Sequence, residues 1–381
     1  MSAAPDFAVM GWCPGALRPM MSGDGLVVRV RPLGGRLTAA QAAGIAAAAR
    51  AYGNGLIDLS ARGNVQLRGV TAASHPALIA DLRGLGLIDA DAQAEARRNL
   101  LVTPFADTST DDLAAKLGKA LADAPDLPGK FGFAVDTGTA PVMQDIAADI
   151  RLERAAEGGL ILRCDGAGLG APVSADDAPA RAVALAQWFV DAGGVTDGRG
   201  RMAALIRRGV RPLGDLAGAV PPAKAVAAPG PGLVAQGALV GFAFGQMQAE
   251  TLAALACLGD LRVTPWRMLL VEGLARMPDL EGLIVTANDP LRRVVACTGA
   301  PGCLQAHGPV RDLARRLAAK VPQGRVLHVS GCAKGCAHPA AADATLVATP
   351  QGFDLIRGGC AQDAADVKGL SETAILARGP F

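Results

Sequence analysis

An internal repeat is the feature of this sequence that most constrains its fold. Residues 25–69 have the pattern of a strand, a glycine-containing turn, an alanine-rich helix, a short turn and a strand, and residues 237–273 follow the same order. Ser60 of the first segment aligns with Thr264 of the second, an offset of 204 residues. Thr38 is expected to cap the first helix, with Gln41 three residues later in a capping-box pattern. This repetition predicts a duplicated chain.

The repeat continues into a second unit in each half. Residues 99–104 parallel 293–298, residues 110–122 parallel 310–320, and residues 130–135 parallel 325–330. A Pro/Gly/Ala-rich stretch at 221–232 lacks periodicity and is interpreted as the linker between the halves. The pattern favours an α+β chain with mixed sheets, helices on one face of each sheet, and a ligand crevice between the two halves.

Composition and charge narrow the classes of function. The chain has 381 residues, of which 51% are hydrophobic, and its net charge is +2, which argues against disorder and against a general nucleic-acid or membrane-surface binder. No apolar run approaches the roughly 18 residues that a membrane span needs, and the first residues do not resemble a secretory signal. We therefore expect a cytoplasmic protein. Arginine supplies 30 of the 37 basic residues, either through codon bias or because guanidinium groups bind oxyanions bidentately.

Four of the eight cysteines fall within 40 residues of one another. They are spaced C-x5-C, then 28 residues, then C-x3-C, and they are Cys297, Cys303, Cys332 and Cys336. The x5 gap is wider than the usual zinc knuckle, and the intervening glycines suit tight loops whose backbone N–H groups point at sulfur. A [4Fe–4S] cluster, a structural zinc ion and unliganded buried thiols all remain open. Thr103 and Thr137 align with Cys297 and Cys332, so one metal site per chain is expected.

These motifs resemble the sirohaem-dependent sulfite and nitrite reductase superfamily. C-x5-C…C-x3-C is the cluster motif of that superfamily, residues 59–69 resemble the basic segment that holds tetrapyrrole carboxylates, and residues 261–267 resemble its counterpart in the second repeat. The resemblance implies a [4Fe–4S] cluster on the four cysteines and a pseudo-twofold duplicated architecture. It implies ferredoxin-like half-domains at 1–95 and 233–288, and α/β subdomains at 96–220 (without a cluster) and 289–381 (with the cluster), with the linker at 221–232.

One departure from the reductases concerns their Lys-x-Lys pair, which grips the small oxyanion. This chain keeps Lys130 but has Gly132 at the second position, which weakens the case for sulfite or nitrite as substrate. The chain is more similar to precorrin-3B synthases, the branch of the superfamily in aerobic cobalamin biosynthesis, at residues 13–20, 24–31, 264–267 and 330–339. That resemblance implies a monooxygenase that uses O2 and reducing equivalents from NADH to hydroxylate precorrin-3A, with closure of a γ-lactone.

The substrate implied by this resemblance is a metal-free macrocycle with many carboxylates, for which guanidinium groups are suitable ligands. We predict catalytic roles for Lys130 and Arg62. The predicted substrate-binding residues are Arg29, Arg31, Arg62, Gln66, Arg68, Arg98, Lys130 and Arg267. The alternative for each arginine is a solvated surface charge.

The resemblance also implies a mononuclear non-haem iron, but no two-His, one-carboxylate pattern is visible among His75, His307, His328 and His338. His338, two residues after Cys336, is a candidate ligand or a structural residue, and Cys13 is a candidate active-site or structural residue. Gly166 to Gly170 do not form a dinucleotide fingerprint, so NADH is expected to act through a separate reductase.

Two other functions remain open at this stage: a sirohaem-dependent sulfite or nitrite reductase, and a non-catalytic, zinc-stabilised tetrapyrrole carrier. The oligomeric state cannot be read from the sequence.

Overall fold

The structure, a computed structural model, describes residues 14–381. The first repeat begins with β1 (Met20–Ser22), β2 (Gly25–Val30), β3 (Arg36–Leu37), α1 (Ala39–Tyr52), β4 (Leu56–Leu59), β5 (Val65–Val70), α2 (His75–Gly84) and α3 (Ala92–Arg97). It continues with β6 (Leu100–Val102), α4 (Thr108–Ala120), β7 (Phe133–Asp136), β8 (Ile150–Arg154), β9 (Leu160–Cys164), β10 (Ala171–Val173), α5 (Ala178–Asp191) and α6 (Met202–Arg207).

The second repeat follows the same order with fewer helices. Its first part contains β11 (Gly232–Val234), β12 (Gly237–Phe242), β13 (Gln246–Gln248), α7 (Ala249–Ala256), β14 (Leu261–Val263), β15 (Met268–Glu272) and β16 (Leu283–Ile284). Its second part contains β17 (Val294–Ala296), α8 (Arg311–Leu317), β18 (Leu327–Ser330), β19 (Ala342–Thr349), β20 (Gly352–Gly359), β21 (Val367–Leu370) and α9 (Glu372–Arg378).

The two half-domain sheets exchange edge strands. One sheet has the order β1-β2-β5-β4-β13 and the other β11-β12-β15-β14-β3, so each takes its last strand from the opposite repeat. Gln246 to Gln248 pair antiparallel with β4, and Arg36 and Leu37 pair antiparallel with β14. One hydrophobic core runs through both half-domains and includes Ile57 and Leu261. The halves are therefore interlocked.

The two α/β subdomains each have their own sheet, with orders β10-β9-β8-β7-β6 and β17-β18-β19-β20-β21. In both, the first three strands along the chain are parallel and the later ones antiparallel. The predicted fold class, a duplicated α+β architecture, is confirmed. The domain boundaries predicted from sequence remain a proposal.

Local chemistry explains why the repeat is visible in the sequence. The capping box of α1 is present: the Gln41 main-chain N–H donates to the Thr38 hydroxyl, and the Thr38 N–H donates to the Gln41 side chain. The Ser60 hydroxyl accepts from two N–H groups of the β4–β5 turn, and the Thr264 hydroxyl does the same in the β14–β15 turn. The predicted match of Ser60 with Thr264 therefore reflects one turn built twice.

The predicted linker lies against the first α/β subdomain. The Ala156 main-chain N–H donates to the Pro221 carbonyl, the Ala223 N–H to the Arg154 carbonyl, and the Val226 N–H to the Pro141 carbonyl. These bonds anchor the connection along the surface of the first repeat. Among residues 14–381, none of the helices is both long enough and apolar enough to cross a membrane.

Candidate metal centre

The four clustered cysteines lie at one edge of the second α/β sheet. Cys297 directly follows β17, and Cys332 comes two residues after β18, its parallel neighbour. Because the carboxyl ends of parallel strands meet at the same sheet edge, both cysteine loops start from one place. The Gly331 main-chain N–H donates to the Cys297 sulfur at 3.1 Å, an N–H···S contact that also favours a metal-bound thiolate.

The geometry of both loops depends on glycine. Gly299, in the first loop, has φ 69°, and Gly335, in the second, has φ 62°, a left-handed conformation that glycine adopts without strain. A hydrogen bond from the Ala300 N–H to the Gly308 carbonyl closes the first loop, and one from the His338 N–H to the Gly335 carbonyl forms a turn at the second. Gly299 and Gly335 of the C-x5-C and C-x3-C motifs thus allow the backbone to adopt the conformation that these loops require.

The thiols influence one another electrostatically. Burial raises the pKa of Cys332 and of Cys336 above the ordinary value, and the neighbouring Cys297 and Cys303 sulfurs raise both further, whereas Lys334 lowers both. Four thiolates that influence one another in this way would repel one another unless metal cations compensated their charge. The donor set and its N–H contact fit a [4Fe–4S] cluster, which these four cysteines would hold.

The first repeat holds the Cys297–Cys303 loop in place. The Ser22 hydroxyl donates to the Gly302 carbonyl at 2.6 Å, and Arg68 donates to the same oxygen at 2.7 Å. The β1–β2 turn approaches so closely that a Cβ at Gly23 would lie 1.9 Å from the Pro301 carbonyl oxygen. The Cys297–Cys303 loop therefore lies where one repeat meets the other.

The first repeat has no thiols at the equivalent place. The Thr103 N–H donates to the Val135 carbonyl as the Cys297 N–H donates to the Val329 carbonyl, so the two positions correspond. Thr137 instead shares a 2.8 Å hydrogen bond with Thr110, and both are buried. A polar network of hydroxyl groups thus occupies the site that carries cysteines in the second repeat.

Besides Arg62, which is described below, five of the predicted substrate-binding residues have polar partners within the protein. Arg29 donates to the Gln66 side chain at 2.7 and 3.1 Å, and Arg31 donates to the Glu95 carbonyl. The remaining two are ion-paired: Arg68 with Asp24 at 2.6 Å, and Arg98 with Asp89 at 2.7 Å. Their assignment to substrate binding stays a prediction.

Arg62 and Lys130 lie together on the surface. Lys130 is exposed and Arg62 is half-buried, and the Arg62 guanidinium donates to the Lys130 carbonyl at 3.4 Å. Arg62 belongs to the β4–β5 turn and Lys130 to the loop before β7, so the sheet edges bring two distant cations together. Their positions leave both charged groups accessible to an anionic ligand.

Arg267 differs from the other candidates. It is half-buried and lines a cavity of about 200 Å³ with Phe244, Trp266 and Arg292, and within residues 14–381 its guanidinium has no hydrogen-bond or ion-pair partner. Burial lowers the pKa of Arg267, Arg311 lowers it further, and Asp58 acts in the opposite direction. A desolvated cation without a hydrogen-bonded anion is suited to bind a ligand carboxylate.

Two residues that line the same cavity have a strained backbone. The sequence analysis did not predict this strain. Arg267 has φ 59° and Phe244 has φ 60°, whereas the first repeat has glycine at both equivalent positions, Gly63 and Gly34. Strained residues of this kind cost about 1–3 kcal/mol each and cluster at functional sites. The signal was available in the aligned repeats, where glycine of a turn is replaced by a bulky residue.

The histidines do not form the iron triad implied by the resemblance. His328 is fully buried below the second cysteine loop, and burial, followed by the effect of His338, lowers its pKa to about 4. The two rings are 5.7 Å apart between centroids. Within the described part of the chain, no three His, Cys, Asp or Glu side chains are placed to hold a single metal ion. Cys13 lies outside the described residues.

Comparisons with known proteins agree with this architecture. Residues 18–85 match the model of the nitrite/sulfite reductase ferredoxin-like half domain. The chain carries this half domain. The resemblance to the nitrite/sulfite reductase superfamily that the sequence predicted is thereby confirmed.

The similarity to individual proteins covers most of the chain. A precorrin-3B synthase from Sinorhizobium sp is 29% identical over 92% of this chain and 83% of the relative. A ferredoxin–nitrite reductase from Leptolyngbya laminosa is 24% identical over 91% of this chain and 82% of the relative. The structure of NirA from Mycobacterium tuberculosis aligns with a TM-score of 0.65 at 20% identity, covering 88% of this chain and 74% of that one, which shows the shared fold.

Proposed function

We propose that this protein is an iron–sulfur monooxygenase that converts precorrin-3A to precorrin-3B in aerobic cobalamin biosynthesis. The observation that carries the proposal is its similarity to a precorrin-3B synthase over 92% of the chain. In the proposed reaction one atom of O2 enters the macrocycle as the hydroxyl group on the carbon between rings A and D. The other becomes water with two protons and two electrons, and a ring A acetate closes the γ-lactone.

The cysteine loops support a redox role. Cys297, Cys303, Cys332 and Cys336 would hold a [4Fe–4S] cluster, which supplies single electrons when bound. The donor that reduces it is expected to be a separate reductase using NADH. The proposed mononuclear iron has no assigned ligands in this chain.

The cationic side chains support a polycarboxylate substrate. Arg267 would bind one carboxylate in the cavity beside Trp266, and Arg62 with Lys130 would bind another at the opposite repeat. Guanidinium groups hold carboxylates in a fixed orientation through paired N–H donors. Arg62 and Arg267 belong to equivalent turns of the two repeats, β4–β5 and β14–β15, and we propose that a ligand with several carboxylates contacts both. We propose orientation of the macrocycle as the catalytic contribution of Arg62 and Lys130.

A sirohaem-dependent nitrite or sulfite reductase is the second candidate, because a ferredoxin–nitrite reductase matches 91% of the chain. Position 132 argues against it. A Cβ there would lie 2.7 Å from the Asn99 side-chain nitrogen, which itself donates to the Phe131 carbonyl at 2.7 Å. The position that carries the second lysine of the reductases therefore has little room for a side chain.

Anaerobic purification with iron, sulfide and zinc counts, followed by absorption spectroscopy, separates the candidates. The proposal requires iron and labile sulfide in near-equal amounts and no sirohaem band. A sirohaem spectrum with sulfite or nitrite turnover would establish the reductase, and one zinc without sulfide would indicate a carrier.

A further inference from the structure

Two ion pairs at equivalent positions join the repeats. The acidic and basic partners of one pair are exchanged in the other. Asp58 on β4 pairs with Arg311 at the start of α8, with 3.4 Å between oxygen and nitrogen. Arg262 on β14 pairs with Asp111 on α4 at 2.7 Å. Because Ser60 corresponds to Thr264, Asp58 and Arg262 occupy equivalent positions. In both pairs, a half-domain strand meets the helix of the opposite repeat.

Asp58 makes further contacts next to the Cys297–Cys303 loop. Its carboxylate also lies 3.6 Å from Arg68, and Gln246 donates to it at 3.0 Å. Arg68 donates to the Gly302 carbonyl, and Arg311 donates to the Cys297 carbonyl at 3.1 Å. One buried carboxylate thus lies beside both guanidinium groups that hold opposite ends of the C-x5-C loop, and it shares Arg68 with Asp24.

Arg262, at the equivalent position in the second repeat, makes no such link to a cysteine loop among the described residues. Arg262 binds Asp111 and Glu272, and both are acidic side chains away from any cysteine loop. Asp58 and Arg262 are matched in burial, at 6% and 5% exposed, and matched in their place in the fold. The duplication therefore supplies a control position that shares the docking role of Asp58 without its link to the thiols.

We propose that Asp58 is a positioning residue for the metal centre, through which the first repeat fixes the geometry and charge environment of the Cys297–Cys303 loop. The role rests on the proposed function, because it requires the cluster. The carboxylate offsets the charge of Arg68 and Arg311 in a region of low dielectric, where an uncompensated charge acts strongly on a nearby redox centre.

Asp58→Asn tests this role with little change in shape. The amide keeps the volume but removes the charge, so Arg311 loses its acidic partner beside the loop, whereas Arg68 keeps its ion pair with Asp24. A more positive surrounding stabilises the reduced cluster, which carries one more negative charge, so the midpoint potential is expected to rise. Without its carboxylate partner, Arg311 also holds the Cys297 carbonyl less firmly. The EPR signal of the reduced cluster is therefore expected to change, and a chelator is expected to remove iron faster than from the native protein.

The experiment compares anaerobically purified native protein, Asp58→Asn and the control Arg262→Gln by redox titration, EPR and iron release to a chelator. Changes in Asp58→Asn that are absent from Arg262→Gln support the proposal. Identical behaviour of native protein and Asp58→Asn would overturn it, and so would equal changes in both variants, which indicate general loosening. If Asp58→Asn does not fold, Arg311→Lys tests the loop geometry instead, because it keeps the charge but not the guanidinium Nε donor; an EPR signal and an iron release rate equal to those of the native protein would overturn the proposal.

Iron and sulfide counts on the native protein keep the two proposals apart. A native protein without iron would refute the cluster and the proposed function together with the role of Asp58. A native protein with a full cluster that is insensitive to Asp58→Asn would refute only the positioning role.

Discussion

Arg262 joins the second half-domain to the first α/β subdomain, and its removal tests whether the repeats are held together as described. The side chain is 5% exposed and makes three short charged hydrogen bonds, to Asp111 at 2.7 and 2.9 Å and to Glu272 at 2.7 Å. The hydrogen bond with Asp111 is also the main reason that the pKa of Arg262 is raised. Arg262→Gln leaves both carboxylates without this partner.

The expected loss of stability follows from the surroundings of the two acids. Breaking a buried ion pair costs about 3–5 kcal/mol when the remaining charge stays buried. Asp111 is 33% exposed and can be rehydrated, and Glu272 keeps Arg36 at 2.6 Å. We therefore expect Arg262→Gln to lower the free energy of unfolding by about 3 kcal/mol, the lower limit of this range.

Denaturant unfolding followed by circular dichroism measures this loss. Arg36→Gln is the matched control, because Arg36 pairs with the same Glu272 but is 47% exposed, and exposed pairs contribute below about 1 kcal/mol. A loss below 1 kcal/mol for Arg262→Gln, or equal losses in the two variants, would refute the docking role of the buried pair.

Three further predictions concern the metal centre, the substrate and a helix. Cys332→Ser is expected to lose iron and the cluster absorbance, whereas Cys257→Ser, at an exposed cysteine elsewhere, keeps both; equal iron contents would contradict the ligand assignment. Arg62→Ala is expected to weaken precorrin-3A binding about tenfold, because one charge-assisted hydrogen bond is lost, and to leave the cluster absorbance unchanged. Unchanged affinity in a binding titration would show that Arg62 does not bind the substrate. Asp107→Ala removes the N-cap of α4 and is expected to cost about 1 kcal/mol in denaturant unfolding. Hydrogen bonds from Thr110 and Ser109 lower the pKa of Asp107 from 3.8 to about 2, so its contribution is complete above pH 4 and declines as the pH falls toward 2. Asp107→Asn should lack that pH dependence, and an unchanged acid profile would contradict the role of the carboxylate.

Sequence reasoning succeeded where one local pattern sets the structure. The capping box at Thr38, the paired turns at Ser60 and Thr264, and the match of Thr103 with Cys297 all depend on neighbours within a few residues or on one repeated strand. Such features survive in the residue pattern, so the duplicated fold could be predicted from the sequence alone.

Long-range partners could not be predicted in the same way. The exchange of β3 and β13 between sheets is decided by packing of the whole duplicated core, which no local pattern encodes. The same limit applies to the arginines. Arg68 pairs with Asp24 and Asp58, which are distant in sequence, whereas Arg267 has no hydrogen-bonding partner among the described residues. The sequence identifies both as arginines next to strands and cannot tell them apart.

Incubation of the anaerobically purified protein with precorrin-3A, a reductant and ¹⁸O₂ tests the central claim most directly. The proposed monooxygenase places one labelled oxygen atom in the product, detected by mass spectrometry as a single-atom increase in label. Product without label, or no product from protein that retains its full iron and sulfide content, would contradict it.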